Sequence, residues 1–462
     1  MTGDRRKFDY HGKNILAPMV RVGTLPTRLL ALEFGADLVY SEELIDYRLL
    51  KCKRVENTLL GSIDYIDAEN QILYRTCAAE RGRNIVQIGT CSPERAVRVA
   101  NMIKADVAGI DVNMGCPKEF SIKGNMGAAL LTQPERIEAI LTALREALPD
   151  HLVTCKIRVF DDVEKTIELC KRMEATGVDA IGVHGRTRDE RPQHANRNAA
   201  IKAVADALRI PVIANGGSSE IRNHEDIDKF RRNCGAAAVM IARQAEENVS
   251  IFRKEGMLSW RELVDRYLSA AIVWDNRFPN TKYCIQRILG SLQDSTDEGR
   301  KFLHTRCMED ICDIWGFREL FEEKQAQWET GGSLRDIDDD GTRINRGIKR
   351  KMENDPDTFG IEVKFCRNLF GMSDLPKTVL LNKSRAEGLE QPDYEIIPVD
   401  KMFRAVVVYG GKKYTSLFRE KNKRMAEQGA ALVCLFALGV MGDDKIRGES
   451  EAKLFAESLR KA

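Results

Sequence analysis

Four side chains between residues 116 and 243 have types and settings suited to chemistry. Cys116 stands in "DVNMGCPKEF", directly after an apolar run and clamped between Gly115 and Pro117. Lys156 ends "LVTCK", His184 ends "AIGVH", and Arg243 follows "AAVMIA". Each closes a short β-rich run, and "PVIANGG" closes likewise on Asn215, Gly216 and Gly217. An unperturbed thiol has a pKa of about 8.5, so near neutrality it is mostly protonated and can give up that proton. No histidine neighbours Cys116 in sequence to act as its base, which favours a general acid. A base brought near by folding would restore the nucleophile.

The runs that carry these residues belong to a series. From 15 to 242 the chain alternates "ILAPM", "DLVY", "NIVQIG", "GIDVNMG", "LVTCKIR", "AIGVHGR", "PVIANGG" and "AAVMIA" with helical patterns. Nearly continuous apolar runs are what parallel strands covered on both faces require. The intervening segments carry helix signals: Asp161 or Asp162 before "VEKTIELCKRMEATG", Gly177 after it, and Pro93 and Pro134 in first turns. Eight such units in about 230 residues match a (β/α)8 TIM barrel. An open doubly wound sheet is the runner-up, but "VRVGTLPTR" after the first strand lacks the G-x-G-x-x-G turn.

In a barrel the carboxyl ends of the strands gather at one mouth. That brings together Pro18, Met19 and Val20; Glu42 and Glu43; Gln87; Asn113 and Cys116; Lys156 and Arg158; His184 and Arg186; Asn215, Gly216 and Gly217; Ala242 and Arg243. Any one of these has a structural explanation; polar groups at so many strand ends point to a site. Gly216 and Gly217 with Arg243 suit a phosphate, whose oxygens can approach bare N–H groups and a guanidinium fork. Lys156 and His184 beside a ring would stabilise an anionic reduced form, with Gln87 and Met19 at its edge and face. This describes bound FMN better than a pyridoxal cofactor, although Lys156 is able to form a Schiff base.

The rest of the 462 residues is organised differently. With 43% hydrophobic and 31% charged residues and a formal net charge of +2, the chain reads as soluble, with two or three domains. "MTGDRRKFDYHGKN" shows no signal-peptide pattern, and the longest apolar run, 429–442, is too short for a bilayer, so no membrane association is expected. Twelve cysteines without a C-x-x-C pair read as reduced intracellular thiols; nothing chooses between cytoplasm and nucleus. His304, Cys307 and Cys312 are half a ligand set and read as packing, so no metal is expected. The expected divisions are a barrel over 10–254, a helical domain over 255–325, a linker over 326–360 and a third unit over 361–462. The linker's "RINRGIKRK" reads as a solvated charge run, in preference to a nucleic-acid contact or a localisation signal. The third unit reads as helix–strand–strand–strand–helix, with "GGKK" turning between the last two strands.

"LAPMVRVG", "DVNMGCP" with "GNMGAALL", "CKIR", "VHGRTR", "VIANGG" and "VMIAR" together resemble the tRNA-dihydrouridine synthases, over about 15–325. The C-terminal unit resembles the double-stranded RNA-binding domain (dsRBD) of the eukaryotic subgroup that reduces uridine 20 of the tRNA D-loop. The resemblance implies that NADPH or NADH reduces bound FMN, that hydride passes to C6 of an extruded uracil, and that Cys116 protonates C5. It implies FMN contacts from Pro18, Met19, Val20, Glu43, Gln87, Lys156, His184, Asn215, Gly216, Gly217, Ala242 and Arg243. Asn113, Arg186 and Arg188 match positions near the uracil or its backbone.

Extruding a base costs a few kcal/mol, which phosphate contacts elsewhere must offset. Residues 401–424 hold eight Lys/Arg against one acid, Glu420. Lys412, Lys413, Lys421, Lys423 and Arg424 are the expected RNA contacts, with tRNA and no DNA as the partner. The family's glycine-rich serine-lysine-lysine entry to the last helix is replaced by "REKNKRMAEQGAA", and Glu427 stands where a basic residue is usual, which predicts a tRNA-adapted domain. The rivals are an FMN oxidoreductase for a free pyrimidine or other metabolite, and a non-catalytic RNA-binding scaffold.

Overall fold

A computed structural model describes residues 8–331 and 358–441, apart from 69, 70, 192, 362, 364, 366, 372, 373, 400, 401 and 421. In chain order its strands are β1 (Lys13–Leu16), β2 (Leu38–Tyr40), β3 (Leu44–Ile45), β4 (Lys53–Asn57), β5 (Ser62–Ile66), β6 (Ile72–Cys77), β7 (Asn84–Gly89), β8 (Gly109–Met114), β9 (Leu152–Arg158), β10 (Ala180–His184), β11 (Val212–Asn215) and β12 (Ala238–Ile241). β1, β2 and β7 to β12 pair in parallel, and the β2–β7 and β1–β12 pairings close the ring. This is the expected eight-stranded TIM barrel. Its lower interior is apolar, filled by Ile15, Leu38, Ile85, Ile213 and Met240.

The second unit of the barrel departs from the expected strand–helix repeat. Strand two breaks after Tyr40 and resumes as β3, which also pairs with β7, so Glu42 and Glu43 occupy the break. The following helix is one turn, Asp46–Leu49, and the crossover is completed by an antiparallel meander of β4, β5 and β6. The meander is held by inward-facing polar groups. Arg75 donates to both Asp64 oxygens at 2.6 Å, and Ser62 and Asn57 donate to the same carboxylate. Arg28, fully buried, forks onto Glu80 at 2.8 and 2.6 Å and reaches the Arg75 carbonyl.

The other barrel helices form as their ends dictate. Ser92, Asp162 and Asn223 accept first-turn N–H groups, and Pro93 and Pro134 open their helices. From Trp260 the chain is helical, and Leu263, Tyr267, Ile285, Phe302 and Trp315 join the core beneath the barrel helices. The change of character near 255 is thus not a break in the core. Gly316, with φ 74°, ends Met308–Trp315 and splits "CMEDICDIWGFREL" into two helices. Cys307 precedes the first of them and Cys312 is buried in it.

The next helix, Arg318–Gly331, runs through the expected boundary at 325, and the stretch holding "RINRGIKRK" lies outside the described residues. The C-terminal unit opens on β13 (Thr358–Ile361), just before its expected start. It continues with the helix Pro376–Ala386, then β14 (Asp393–Val399), β15 (Met402–Tyr409), β16 (Lys412–Ser416) and the helix Lys423–Ala437. β14, β15 and β16 are antiparallel, and β13 extends the sheet by pairing in parallel with β16. This is the α-β-β-β-α order expected of a dsRBD. Gly410 and Gly411 both have positive φ, as a two-residue hairpin turn demands. No described helix is long and apolar enough to cross a membrane.

Candidate active site at the barrel mouth

Above the apolar interior lies a polar layer that joins Gln87 to three residues the sequence does not single out, Asp111, Thr154 and Tyr40. Gln87, Asp111 and Thr154 sit at paired positions on β7, β8 and β9. Gln87 Nε2 donates to Asp111 Oδ2 at 2.8 Å and Thr154 Oγ1 to Asp111 Oδ1 at 2.7 Å; Tyr40 OH lies 3.2 Å from Thr154 Oγ1. All four residues are buried. Burial pushes the Asp111 carboxyl up to about 6 despite the donors on it and the nearby charge of Lys156.

Over this layer stand the cations. Burial lowers Lys156 to about 8, and the Arg158 charge adds to the effect. Its stem lies against Gly182, where an added Cβ would come within 3.3 Å of Lys156 Cγ. His184 is held well below its ordinary pKa by burial, then by Lys156, Arg158, Arg186 and Arg243. Arg186 NH1 lies 3.0 Å from His184 Nε2. A guanidinium only donates, so Nε2 accepts and the imidazole proton sits on Nδ1. His184 is therefore a neutral donor of fixed tautomer.

Gly216, at φ +113°, has no room for a side chain: a Cβ would collide with Asn196 Oδ1 and lie 2.8 Å from the His184 ring. A Cβ on Gly217 would lie 2.6 Å from the Phe230 ring. Asn215 is tied to Met240 O at 2.8 Å, and Gln244 to Ser218 O at 2.7 Å, so the ends of β11 and β12 form one piece. Arg243 follows Ala242 at the first turn of Arg243–Glu247. Bare backbone at the two glycines beside these cations fits the phosphate of a flavin nucleotide, and the Lys156–His184 pair fits its ring.

Cys116 is held by its backbone. Asn113 Oδ1 accepts the N–H groups of Gly115 and Cys116 at 3.0 and 3.1 Å, and Cys116 O accepts Ala128 N–H at 2.9 Å. Gly127, with φ +59°, packs so closely that a Cβ would lie 2.6 Å from Cys116 O, which accounts for the glycine in "GNMGAALL". Arg158 joins this turn to the loop after β10, donating to Gly115 O at 3.0 Å and to Thr187 O at 2.7 Å. The thiol is half-buried and free of disulfide.

Other expected residues take particular places. Glu43 faces Asn113 and Cys116; burial raises its carboxyl to about 7, and Oε1 has no hydrogen-bond partner among the described residues. Pro18 and Met19 are half-buried and Val20 is exposed, on a turn where Arg21 N–H donates to Glu42 Oε2 at 3.0 Å. Arg186 is buried and committed to His184, to Gly216 O at 3.0 Å and to His194 O at 2.9 Å. It braces the cradle, whereas Arg188 is exposed.

In the C-terminal unit Lys412, Lys413, Lys423 and Arg424 are exposed, and Arg419, not singled out from the sequence, is exposed with them. Lys421 lies outside the described residues. Asn422 caps the last helix by accepting Met425 N–H at 2.9 Å, doing without the missing serine. Glu420 is buried against Phe365 N–H at 3.0 Å, and Glu427 pairs with Lys377 at 2.5 Å. Neither acid stands unpaired on the basic surface.

Residues 15–307 match the family model described as dihydrouridine synthase (Dus), and the chain belongs to that family. It is 41% identical over 293 residues to the tRNA-dihydrouridine(20) synthase (NAD(P)+) of Schizosaccharomyces pombe, covering 61% of this chain and 60% of the relative. The Saccharomyces cerevisiae protein of the same description is 36% identical over 298 residues, covering 61% of this chain and 78% of the relative. Over 18% of this chain, the crystal structure of a single-site mutant of the human tRNA dihydrouridine synthase (20) dsRBD is 36% identical, with 90% of that chain covered and a TM-score of 0.18.

Proposed function

We propose that this protein reduces the C5–C6 double bond of a tRNA uridine, position 20 of the D-loop, to 5,6-dihydrouridine. NADPH or NADH is the source of reducing power and Cys116 the proton donor. The observation that carries this reading is the placement of a half-buried thiol, fixed by Asn113 and Arg158, on the same ring of strand ends as the Lys156–His184–Arg243 cradle. Bound FMN would supply the hydride-transfer chemistry between the nicotinamide and C6 of the pyrimidine. Gly216, Gly217 and Arg243 would hold its phosphate, and Lys156 and the Nδ1–H of His184 would face its ring.

The chain's own part in the chemistry is positional and acid–base. Cys116 presents Sγ–H to C5 of the extruded base and is left as the thiolate. Asn113 keeps the thiol's turn in register. Arg188 and the basic strip of the C-terminal unit supply the phosphate contacts that offset unstacking; that strip favours RNA over a free metabolite. The test is to map dihydrouridine in tRNA from cells lacking the protein, and to assay the purified protein for flavin absorbance and tRNA-dependent NADPH oxidation. Unchanged dihydrouridine at position 20, or a protein unable to take up FMN, would refute it.

A further inference from the structure

The polar layer under the mouth has a directional order. Asp111, ionised, only accepts: one oxygen takes Thr154 Oγ1–H at 2.7 Å and the other takes Gln87 Nε2–H at 2.8 Å. Thr154 has then given its one proton away, so the Tyr40 hydroxyl 3.2 Å from it acts as the donor. Each link fixes the next, because a hydroxyl has one proton and a carboxylate none. The Gln87 main chain is fixed as well, its N–H donating to Ser41 Oγ at 3.1 Å. No described residue hydrogen-bonds Gln87 Oε1.

An amide left to itself can present either end to a ligand, and would be indifferent between a donor and an acceptor. Here the nitrogen end is tied to a neighbouring carboxylate and the carbonyl end is left over. We propose that Asp111 is a positioning residue that orients the amide of Gln87, so that the mouth of the barrel offers a carbonyl and selects a ligand ring carrying an N–H at that edge. This rests on the FMN reading above. The pyrimidine portion of the isoalloxazine ring has one such group, N3–H, between two carbonyls, so the selected edge is N3. A hydrophobic floor would hold a flavin without this selection; a buried carboxylate is a costly way to build a floor and a direct way to lock an amide.

The experiment compares the affinity of the apo-protein for FMN and for its N3-methyl derivative, by fluorescence quenching and the visible spectrum of the bound flavin. The native protein is expected to prefer FMN at least tenfold. In Asp111→Asn, where either end of Gln87 finds a partner, the preference should fall towards one, while the methylated flavin binds within about threefold of its native affinity. Asp111→Ala, which removes both acceptor oxygens, should act in the same direction and serves if the asparagine variant misfolds. Equal weakening of both flavins in the variants, or no preference in the native protein, overturns the proposal while leaving the FMN reading intact. Failure of the native protein to bind either flavin overturns the FMN reading itself.

Discussion

Asn113 Oδ1 accepts the backbone N–H of Cys116 at 3.1 Å, and the same oxygen accepts Gly115 N–H. One side chain therefore sets the position of the thiol through the main chain. Asn113→Ala leaves two N–H groups without their partner, at about 1–2 kcal/mol of local stability. A displacement near 1 Å at a reacting group is enough for a loss on the order of a hundredfold. Single-turnover dihydrouridine formation should fall by that order with FMN content unchanged. Asn113→Asp keeps the acceptor for both N–H groups and should recover most of the lost single-turnover dihydrouridine formation.

The fold was legible where burial is apolar. The eight barrel runs are visible because short apolar runs such as "NIVQIG" and "AAVMIA" recur between helical patterns, as covered parallel strands do. The meander β4 to β6 is not, because polar groups share its buried positions with Tyr65, Ile66 and Tyr74: Asp64, Arg75, Ser62 and Asn57 satisfy one another there and blur the alternation a half-buried strand shows. The site divides in the same way. Cys116, Lys156 and Arg243 stood out as strand-end residues, whereas Asp111 and Thr154 lie mid-strand, where sequence alone does not tell which positions share a level. Arg186 is assigned to the uracil through the resemblance alone; its bonds to His184 and Gly216 O, which tie it to the cradle, are visible only in the fold.

Asp111 also predicts a conflict between stability and ligand selection. A buried carboxyl raised from the ordinary aspartate value to about 6 costs the folded state on the order of 3 kcal/mol at neutral pH. The sign follows from the proton: the folded form binds it more tightly, so stability is greatest below the unfolded pKa and is lost as pH rises through 6. Asp111→Asn should raise the thermal midpoint of the flavin-free protein at pH 8. At pH 5, where the native carboxyl is largely protonated in the fold, the advantage should shrink. A midpoint lowered at both pH values would contradict this account.

Lys156 sets an alkaline limit. Burial and Arg158 hold its ammonium near 8, so in the flavin-free protein its charge disappears as pH rises past that value. FMN affinity should weaken from pH 7 to pH 9.5 in the native protein. Lys156→Met should show low affinity at both, and Lys156→Arg, charged throughout, should show little change. Stability moves oppositely: a lysine with a depressed folded pKa favours folding as pH rises from about 8 towards 10.5. Titrations of FMN at the two pH values separate the effects.

Arg75 links the meander to the helical region, holding Asp64 with two bonds and reaching Trp274 O at 2.5 Å. Arg75→Met strands a fully buried carboxylate and should destabilise the protein by about 3–5 kcal/mol. Adding Asp64→Leu should recover most of that loss, because two apolar groups need no partner. Denaturant midpoints of both single variants and the double variant decide the matter; additive losses would mean that the pair is not the unit described.

The basic strip of the C-terminal unit should act through charge alone. Lys412, Lys413, Lys423 and Arg424 are exposed, while the acids near them are buried, as Glu420 is, or paired, as Glu427 is with Lys377. Each phosphate no longer neutralised takes roughly 0.7–0.9 off the slope of log affinity against log salt. Changing all four residues to alanine should therefore weaken tRNA binding by at least tenfold at moderate salt and flatten the slope by about three. Flavin content and NADPH-driven flavin reduction should stay native, since the cradle of Gly216, Gly217 and Arg243 follows the ends of barrel strands β11 and β12. Charge reversal at Glu427 tests the other half of the argument. Glu427→Lys frees Lys377 and adds a cation, so affinity for an arbitrary RNA duplex should rise relative to tRNA. A variant whose preference for tRNA is unchanged would show that Glu427 only braces the helix Pro376–Ala386 and takes no part in discriminating between RNAs.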